Sequence, residues 1–118
     1  MKNIYIVEDD RDILELCEHL LSTENFKVSG YTTAEEFHTN IGKALPDLVI
    51  LDIMLPDANG LEMCMELCAN ELTTSIPIVL MSAHESPDIL KKEVCAQDFI
   101  AKPFDIDDFV FRISRQLA

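Results

Sequence analysis

Residues 47–60 read DLVILDIMLPDANG, and this stretch decides the fold class. Its four apolar residues at 48–51 have no polar face, which indicates a strand that is buried on both sides. A loop with Pro56 and Gly60 follows, and residues 61–68 then carry apolar side chains at helical spacing. A doubly buried strand followed by a helix is typical of a parallel sheet covered by helices.

The same alternation of a short apolar run and an amphipathic segment recurs along the chain. Besides 48–51, strands are predicted at residues 4–7, 26–29, 76–81 and 99–101. Other helices are predicted after residues typical of helix starts, namely Asp10, Thr32 with Thr33, Pro87 and Asp105. The helix near Pro87 is predicted to be short and to reach about Val94. The pattern predicts one α/β domain over residues 1–118, a flavodoxin-like doubly wound (βα)5 fold with a five-stranded parallel sheet in order 2-1-3-4-5.

Acidic residues far outnumber basic ones: the 118 residues include 22 Asp and Glu against 9 Lys and Arg, a net charge of −13. A nucleic-acid surface needs clustered cations, so we expect no direct nucleic-acid binding by this domain. An anionic membrane surface would repel the chain for the same reason. The sequence shows no leader pattern and no apolar run of about 18 residues, and we therefore expect a cytoplasmic domain that does not span a membrane.

Four cysteines, at positions 17, 64, 68 and 95, do not form the pattern of a secreted disulfide framework. We expect them to be reduced and buried. Cys64 and Cys68 lie four residues apart and therefore share one face of their predicted helix. Zinc binding is a weaker alternative, because no CxxC pair or CxxH partner lies nearby.

Polar residues follow four of the predicted strands at the point where each strand ends. They are Glu8, Asp9 and Asp10 after the first strand, Asp52 after the third, Ser82 after the fourth and Lys102 after the fifth. Because the carboxyl ends of parallel strands meet at one edge of a sheet, we expect these side chains to converge. Converging carboxylates repel one another, and oxygen ligands without His or Cys favour Mg²⁺. A carboxylate is also a nucleophile toward phosphorus, and a lysine ammonium with Mg²⁺ neutralises phosphoryl oxygens.

The sequence resembles the receiver domain of two-component response regulators over its whole length. Four pieces carry the resemblance, in this order: IYIVEDD at 4–10, DLVILDIMLPDANG at 47–60, PIVLMSAH at 77–84 and FIAKPF at 99–104. Each piece alone is a weak signal, but their order and spacing are specific. The implied function is that of a phosphoprotein in a phosphorelay.

The resemblance implies a role for each matching position. Asp52 matches the phosphoacceptor, and Lys102 matches the phosphate-binding lysine, which implies a cis peptide before Pro103. Ser82 matches the switch hydroxyl. Phe99 matches the aromatic switch position, which turns inward on phosphorylation, although a simple core role for this side chain is the alternative.

The implied cofactor is Mg²⁺, held by the acidic pair Glu8 and Asp9 together with Asp52 and the backbone carbonyl of Met54. Asp9 is the direct ligand of the pair. Asp10 falls outside the pair, and for it we expect the role of a helix cap.

The implied mechanism is phosphoryl transfer to Asp52 from a sensor histidine kinase or a phosphotransfer protein. Phosphorylation then remodels the surface around the fourth helix, the fifth strand and the last helix, which controls an effector or partner. Asp98, Asp108 and Arg112 resemble part of a dimer face on this surface, so a homodimer is one expected outcome. The domain assists its own phosphorylation and dephosphorylation, and we expect no turnover of an external substrate.

Three departures from the family pattern stand out. Cys95 occupies a position where glycine is common, and the stretch from Ser82 to Lys102 is shorter than usual, which predicts a short or displaced fourth helix. Met54 and His84 lie at variable positions that flank the path of the attacking water in the family. We expect the bulk of Met54 to slow hydrolysis of the phosphoryl group.

Three other functions are compatible with this kind of sheet. A phosphatase with an aspartyl-phosphate intermediate needs a second Asp two residues after the nucleophile, where this chain has Met54. A flavin-binding module needs a loop rich in Ser, Thr and Gly after the first strand, where this chain has three acids. A receiver-like interaction module that works without phosphorylation is the remaining alternative.

Overall fold

The structure is a computed structural model that describes residues 1–83 and 95–118. Its elements, in chain order, are β1 (Asn3–Val7), α1 (Arg11–Ser22), β2 (Lys27–Tyr31), α2 (Ala34–Ile41), β3 (Leu48–Asp52), α3 (Gly60–Ala69), β4 (Ile78–Ser82), β5 (Asp98–Ala101) and α4 (Ile106–Gln116). The helix predicted from Pro87 to about Val94 lies outside the described residues.

The five strands form one parallel sheet in order β2-β1-β3-β4-β5, which confirms the predicted fold class. Alternate residues of each strand point to opposite faces, so each face of the sheet has its own hydrophobic core. One core includes Phe37 of α2 and Met63 of α3, and the other includes Leu14 of α1 and Phe109 of α4. The sheet is therefore doubly wound, as predicted.

Three of the predicted helix starts are confirmed by side-chain caps. The Asp10 carboxylate accepts hydrogen bonds from the N–H groups of residues 12 and 13 at the start of α1. Thr33 caps α2 by accepting from the N–H of Glu36, and Asp105 caps α4 by accepting from the N–H of Asp108. Asp10 thus has the capping role that was expected of it.

All five strands differ from their predicted bounds, β1, β3 and β5 by one residue each and β2 and β4 by more. β2 continues through Gly30 to Tyr31, because the parallel pairing with β1 continues to the pair Val7 and Tyr31. β4 begins at Ile78 rather than at residue 76, because the N–H of Ile76 closes a turn onto the carbonyl of Thr73. The apolar runs in the sequence therefore predicted where these strands lie but not where they begin and end.

The cysteines depart from the expectation of four reduced thiols. Cys68 and Cys95 form a disulfide, whereas Cys17 and Cys64 are free and buried. The expectation was wrong for the bonded pair because folding brings α3 beside the chain that leads into β5, with the two Cα atoms 6.7 Å apart.

No helix within residues 1–83 and 95–118 is long and apolar enough to cross a bilayer.

Candidate functional site

The carboxyl edge of the sheet brings together acidic and basic side chains from three strand ends. Glu8 follows β1, Asp52 is the last residue of β3, and Lys102 follows β5. The backbone N–H of Lys102 donates to the carbonyl of Ser82 at 2.9 Å, which continues the ladder between β4 and β5 past the last paired residue. The parallel topology therefore places Lys102 where its side chain extends across the end of β4 toward Asp52.

The Lys102 ammonium bridges two carboxylates. Its Nζ lies 2.9 Å from Oδ2 of Asp52 and also donates to Oε1 of Glu8. The exposed fractions of the side chains are 12% for Lys102, 8% for Asp52 and 0% for Glu8. Because water screens these charges poorly, the ion pairs hold Lys102 against the two acids far more firmly than a surface pair would.

Asp9 completes a group of three acids with Glu8 and Asp52, whose ligand oxygens lie within 4.8 Å of one another. Burial, with a hydrogen bond to Asp52, raises the pKa of Glu8 to about 8 despite the opposing effect of Lys102. Burial alone would lower the pKa of Lys102, but its hydrogen bonds to Asp52 and Glu8 outweigh burial and raise that pKa. One ammonium therefore does not compensate the acids fully, and a divalent cation fits this oxygen-rich cluster.

An open cavity of about 580 Å³ lies over the cluster. Its lining consists of Glu8, Asp9, Asp10, Ile13, Asp52, Met54, Ala83, Lys102 and Pro103. Ser82 is buried at the end of β4, and Ala83 is the residue beside it that lines the cavity. The peptide between Lys102 and Pro103 is cis, as the resemblance implied. The cavity gives a small anion direct access to the Asp52 carboxylate.

The loop after β3 is folded tightly against Asp52. The N–H of Met54 donates to Oδ1 of Asp52 at 3.1 Å, while the Met54 side chain is 60% exposed at the cavity. Met54 also forms an isolated antiparallel bridge with Asn59, whose side chain caps α3. The N–H of Gly60 then donates to the carbonyl of Ile53 at 2.8 Å. These contacts fix the backbone that carries the Asp52 side chain.

Asp57 is a positioning residue of this loop that the sequence analysis missed. Its carboxylate accepts hydrogen bonds from the N–H groups of Ala34, at 2.9 Å, and Glu35, at 3.1 Å. These bonds, that of Ala34 above all, lower the pKa of Asp57. They tie the loop after Asp52 to the first turn of α2. The sequence carries no local signal of this contact, since the partners are 23 residues apart.

The sequence analysis assigned Phe99 to the aromatic switch position and His84 to a position that flanks the path of the attacking water. The Phe99 side chain is buried within the core that also contains Met63 and Leu67 of α3. This position agrees with both expectations for Phe99, the inward state of the switch and a simple core role. His84 lies outside the described residues.

The predicted pair of Asp108 and Arg112 is present, with Nε of Arg112 2.8 Å from Oδ2 of Asp108. Arg112 also reaches the buried Asp98 at 2.7 Å, and Arg115 reaches the other oxygen of Asp98 at 2.8 Å. Burial raises the pKa of Asp98, but hydrogen bonds from the Phe99 N–H and from Arg112 outweigh it and lower that pKa. These ion pairs therefore connect β5 to α4 within one molecule.

Comparison with known proteins agrees with this geometry. Residues 4–114 match the family model of the response regulator receiver domain. The chain is 31% identical over 119 residues to the phosphate regulon transcriptional regulatory protein PhoB of Rhizobium meliloti, covering 99% of this chain and 52% of PhoB. It is 36% identical over 116 residues to the response regulator ArlR of Staphylococcus epidermidis, covering 96% of this chain and 51% of ArlR. The chain therefore spans about half the length of these curated relatives.

A solved structure extends the similarity from sequence to fold. The BeF3-activated N-terminal receiver domain of Klebsiella pneumoniae RstA has a TM-score of 0.86 to this structure and 31% sequence identity, covering 98% of this chain and 97% of that one.

Proposed function

The chain belongs to the response regulator receiver domains of two-component systems, and from this premise we propose that the carboxylate of Asp52 accepts a phosphoryl group. The donor is a phosphohistidine of a sensor histidine kinase or of a phosphotransfer protein. Residues 1–118 form the receiver unit, in the cytoplasm, and neither nucleic acid nor membrane is bound by this unit itself. The phosphorylated receiver controls an effector or a partner protein.

The observation that carries this proposal is the contact of the Lys102 ammonium with Asp52 at the floor of an open cavity. An Asp52 oxygen attacks phosphorus, the P–N bond of the phosphohistidine breaks, and its electron pair stays on the imidazole nitrogen. The product is an acyl phosphate. Lys102, whose Nζ lies 2.9 Å from Oδ2 of Asp52, would donate a hydrogen bond to an oxygen of the transferred group. Water later attacks the phosphorus, which releases phosphate and restores the carboxylate.

The residues at this edge suit Mg²⁺ because they offer carboxylate oxygens and a surplus of negative charge. Asp9 and Asp52 would ligate it directly, with Glu8 beside them and the Met54 carbonyl as a further ligand. When bound, Mg²⁺ neutralises oxygens of the phosphoryl group in the transition state. The exposed position of Asp9 leaves its carboxylate open to a hydrated ion.

The switch couples this site to the surface formed by β5, α4 and the predicted helix before β5. Ser82 ends β4 beside the site, and its hydroxyl is proposed to hydrogen-bond the phosphoryl group. Phe99, on the neighbouring strand, has its side chain in the core beneath that surface. A shift of Ser82 toward the new dianion would therefore favour the buried position of Phe99 and would remodel the surface that meets a partner or a second copy.

Two other functions are less favoured by these observations. A module that worked by contacts alone would have no need for the bridged Lys102, Asp52 and Glu8 cluster below an open cavity. Turnover of external phosphoesters would need an acid or base two residues after Asp52, and the side chain there is the thioether of Met54.

The test is phosphorylation of the full chain with acetyl phosphate and Mg²⁺, followed by intact and fragment mass spectrometry. We expect one phosphoryl adduct, located on Asp52 and lost in Asp52→Asn. Asp107→Asn is the matched control, because Asp107 is an exposed aspartate in the first turn of α4. Absence of an adduct in the wild type, or its persistence in a folded Asp52→Asn variant, would overturn the proposal.

A further inference from the structure

A second cluster of reactive side chains lies at the opposite edge of the sheet from Asp52. Cys64 and Cys68 are one turn apart on α3, and Cys95 lies three residues before the start of β5, whereas Lys102 follows that strand. The three sulfur atoms lie within 4.8 Å of one another. Cys68 and Cys95 are bonded, and Sγ of Cys64 lies 3.9 Å from Sγ of Cys95. This arrangement joins α3 to the start of β5 through chemistry that the phosphoryl site does not use.

We propose that Cys68 and Cys95 are a reversible dithiol–disulfide site that takes low-molecular-weight disulfides of the glutathione type, with Cys64 remaining a thiol. Where glutathione buffers a compartment, protein disulfides are usually transient and redox-sensing, so a partly accessible pair is suited to regulation.

The three cysteines differ in their exposure to solvent. Cys95 is exposed, Cys68 is half-buried and Cys64 is fully buried. Burial also raises the pKa of the Cys64 thiol to about 11, which keeps it protonated and unreactive. Because the Cys95 sulfur carries no proton once it is bonded to Cys68, its contact with Cys64 is a weak hydrogen bond that the Cys64 thiol donates. Cys64 therefore supports the oxidised pair rather than competing with it.

The reaction proceeds by two exchanges. The Cys95 thiolate attacks one sulfur of the small disulfide, forms a mixed disulfide and releases one small thiolate. The Cys68 thiolate then attacks Sγ of Cys95 and releases the second small thiolate. Each leaving thiolate takes up a proton that a protein thiol has lost. The dithiol is oxidised, the small disulfide is reduced to two thiols, and an excess of that thiol reverses both steps.

The disulfide also adjoins the switch, a consequence that rests on the proposed phosphoryl function. Phe99 shares its core cluster with Cys64, and Cys68 and Ala96 pack against that cluster. The bond holds the chain before β5 against α3 in a conformation in which Phe99 is buried. Oxidation should therefore favour the inward Phe99 state, and the oxidised chain should bind beryllofluoride, a phosphoryl mimic, about fivefold more tightly.

The first experiment maps disulfides in the full chain, without any phosphoryl donor. After treatment with oxidised glutathione and alkylation of free thiols, we expect a peptide that links Cys68 to Cys95, and its loss when reduced glutathione is in excess. Cys64→Ser should keep this link. Cys68→Ser should instead carry glutathione on Cys95. A wild-type chain that stays reduced, a Cys64–Cys95 link, or zinc held by the three thiols so that no link forms would overturn the site.

The second experiment compares beryllofluoride binding, with Mg²⁺, by the oxidised and reduced wild-type chains, with Cys68→Ser as the variant that cannot form the bond. Tighter binding by the oxidised chain alone supports the coupling, and equal binding overturns it. Failure of the reduced chain to bind beryllofluoride would count against the phosphoryl function. The redox site would then still be tested by the disulfide mapping of the first experiment. The two failures are thus distinguishable.

Discussion

Met54 is placed to govern the lifetime of a phosphoryl group on Asp52. Its N–H holds Oδ1 of Asp52, and its side chain, 60% exposed, lines the cavity through which water reaches that carboxylate. A thioether offers water only a weak acceptor, whereas an amide both donates and accepts. We expect Met54→Asn to speed the decay of the phosphorylated chain by about tenfold, less than a full general base would give. The measurement is loss of labelled phosphate over time.

The matched control for this variant is Met65→Asn. Met65 is 54% exposed on α3, and it is not among the residues that line the cavity. Its substitution should leave the decay rate unchanged. Decay in Met54→Asn that is equal to or slower than in the wild type would contradict a shielding role for Met54.

At this scale, the part of the site built from strand ends was predictable from sequence. Glu8, Asp52 and Lys102 lie at or just after the carboxyl ends of strands in a parallel sheet, and topology alone makes such residues converge. The contact of Asp57 with α2 was not predictable, because it depends on the path of an irregular loop. The bond from Cys68 to Cys95 depends likewise on how α3 packs beside the chain before β5. Spacing within one element carries no information about either contact.

The first residue of α3, Gly60, lies very close to the backbone of Asp52 and Ile53. A Cβ atom at Gly60 would lie 2.8 Å from Cα of Ile53, and the carbonyl of Asp52 would be closer still. Both obstacles are backbone atoms, so neither can give way without moving Asp52. We expect Gly60→Ala to lower the free energy of unfolding by about 2 kcal/mol, through strain at this contact. It should also slow phosphorylation of Asp52, as measured with acetyl phosphate.

Gly42→Ala is the matched control for this substitution. Gly42 ends α2 with an ordinary helical φ of −69°, and the nearest atom to an added Cβ is 3.6 Å away. Alanine fits there, and the variant should be unchanged or more stable by up to about 1 kcal/mol, since it restricts the unfolded chain. Equal urea midpoints for the two variants would refute the close packing of α3 against β3.

The link between β5 and α4 depends on Asp98, a buried acid with two arginine partners. Arg112→Ala removes one of them, and we expect the free energy of unfolding to fall by about 2 kcal/mol near neutral pH. Asp108→Ala, which removes only the exposed partner of Arg112, should cost less than about 0.5 kcal/mol. Urea unfolding of both variants measures the difference, and equal losses would mean that the buried pair adds nothing.

The pH dependence of this effect follows from the pKa of Asp98, which is lowered in the folded chain because hydrogen bonds from the Phe99 N–H and from Arg112 outweigh its burial. A lowered carboxyl pKa stabilises the fold above the unfolded value of about 3.9, and the stabilisation is lost as the pH falls through the folded pKa. The deficit of Arg112→Ala should therefore be largest near neutral pH and shrink below about pH 4. A deficit that grows on acidification would contradict this assignment.

For the molecule as a whole, the net charge of −13 has two separate origins. Many acids lie on exposed helix faces, as Asp12 and Glu15 do on α1. Within residues 1–83 and 95–118, Glu8, Asp9 and Asp52 are the acids that combine into the oxygen cluster at the sheet edge. Overall acidity thus opposes binding of nucleic acid by this domain, but it would not have located this acidic cluster. The cluster was instead predicted from the polar residues at the carboxyl ends of the strands.

The disulfide also contributes to the stability of the whole fold, through the unfolded chain that it restricts. Cys68 and Cys95 are 27 residues apart in sequence, and closing a loop of that length removes conformational entropy worth about 3.5 kcal/mol. We expect reduction with dithiothreitol to lower the free energy of unfolding by that amount, as measured by urea denaturation of oxidised and reduced chains. Cys68→Ser should match the reduced wild type and should not respond to dithiothreitol. Equal unfolding of the oxidised and reduced wild-type chains, at the same urea concentration, would contradict this prediction. Strain in the folded oxidised chain would then offset the entropic gain, and the disulfide would favour no single conformation of the switch.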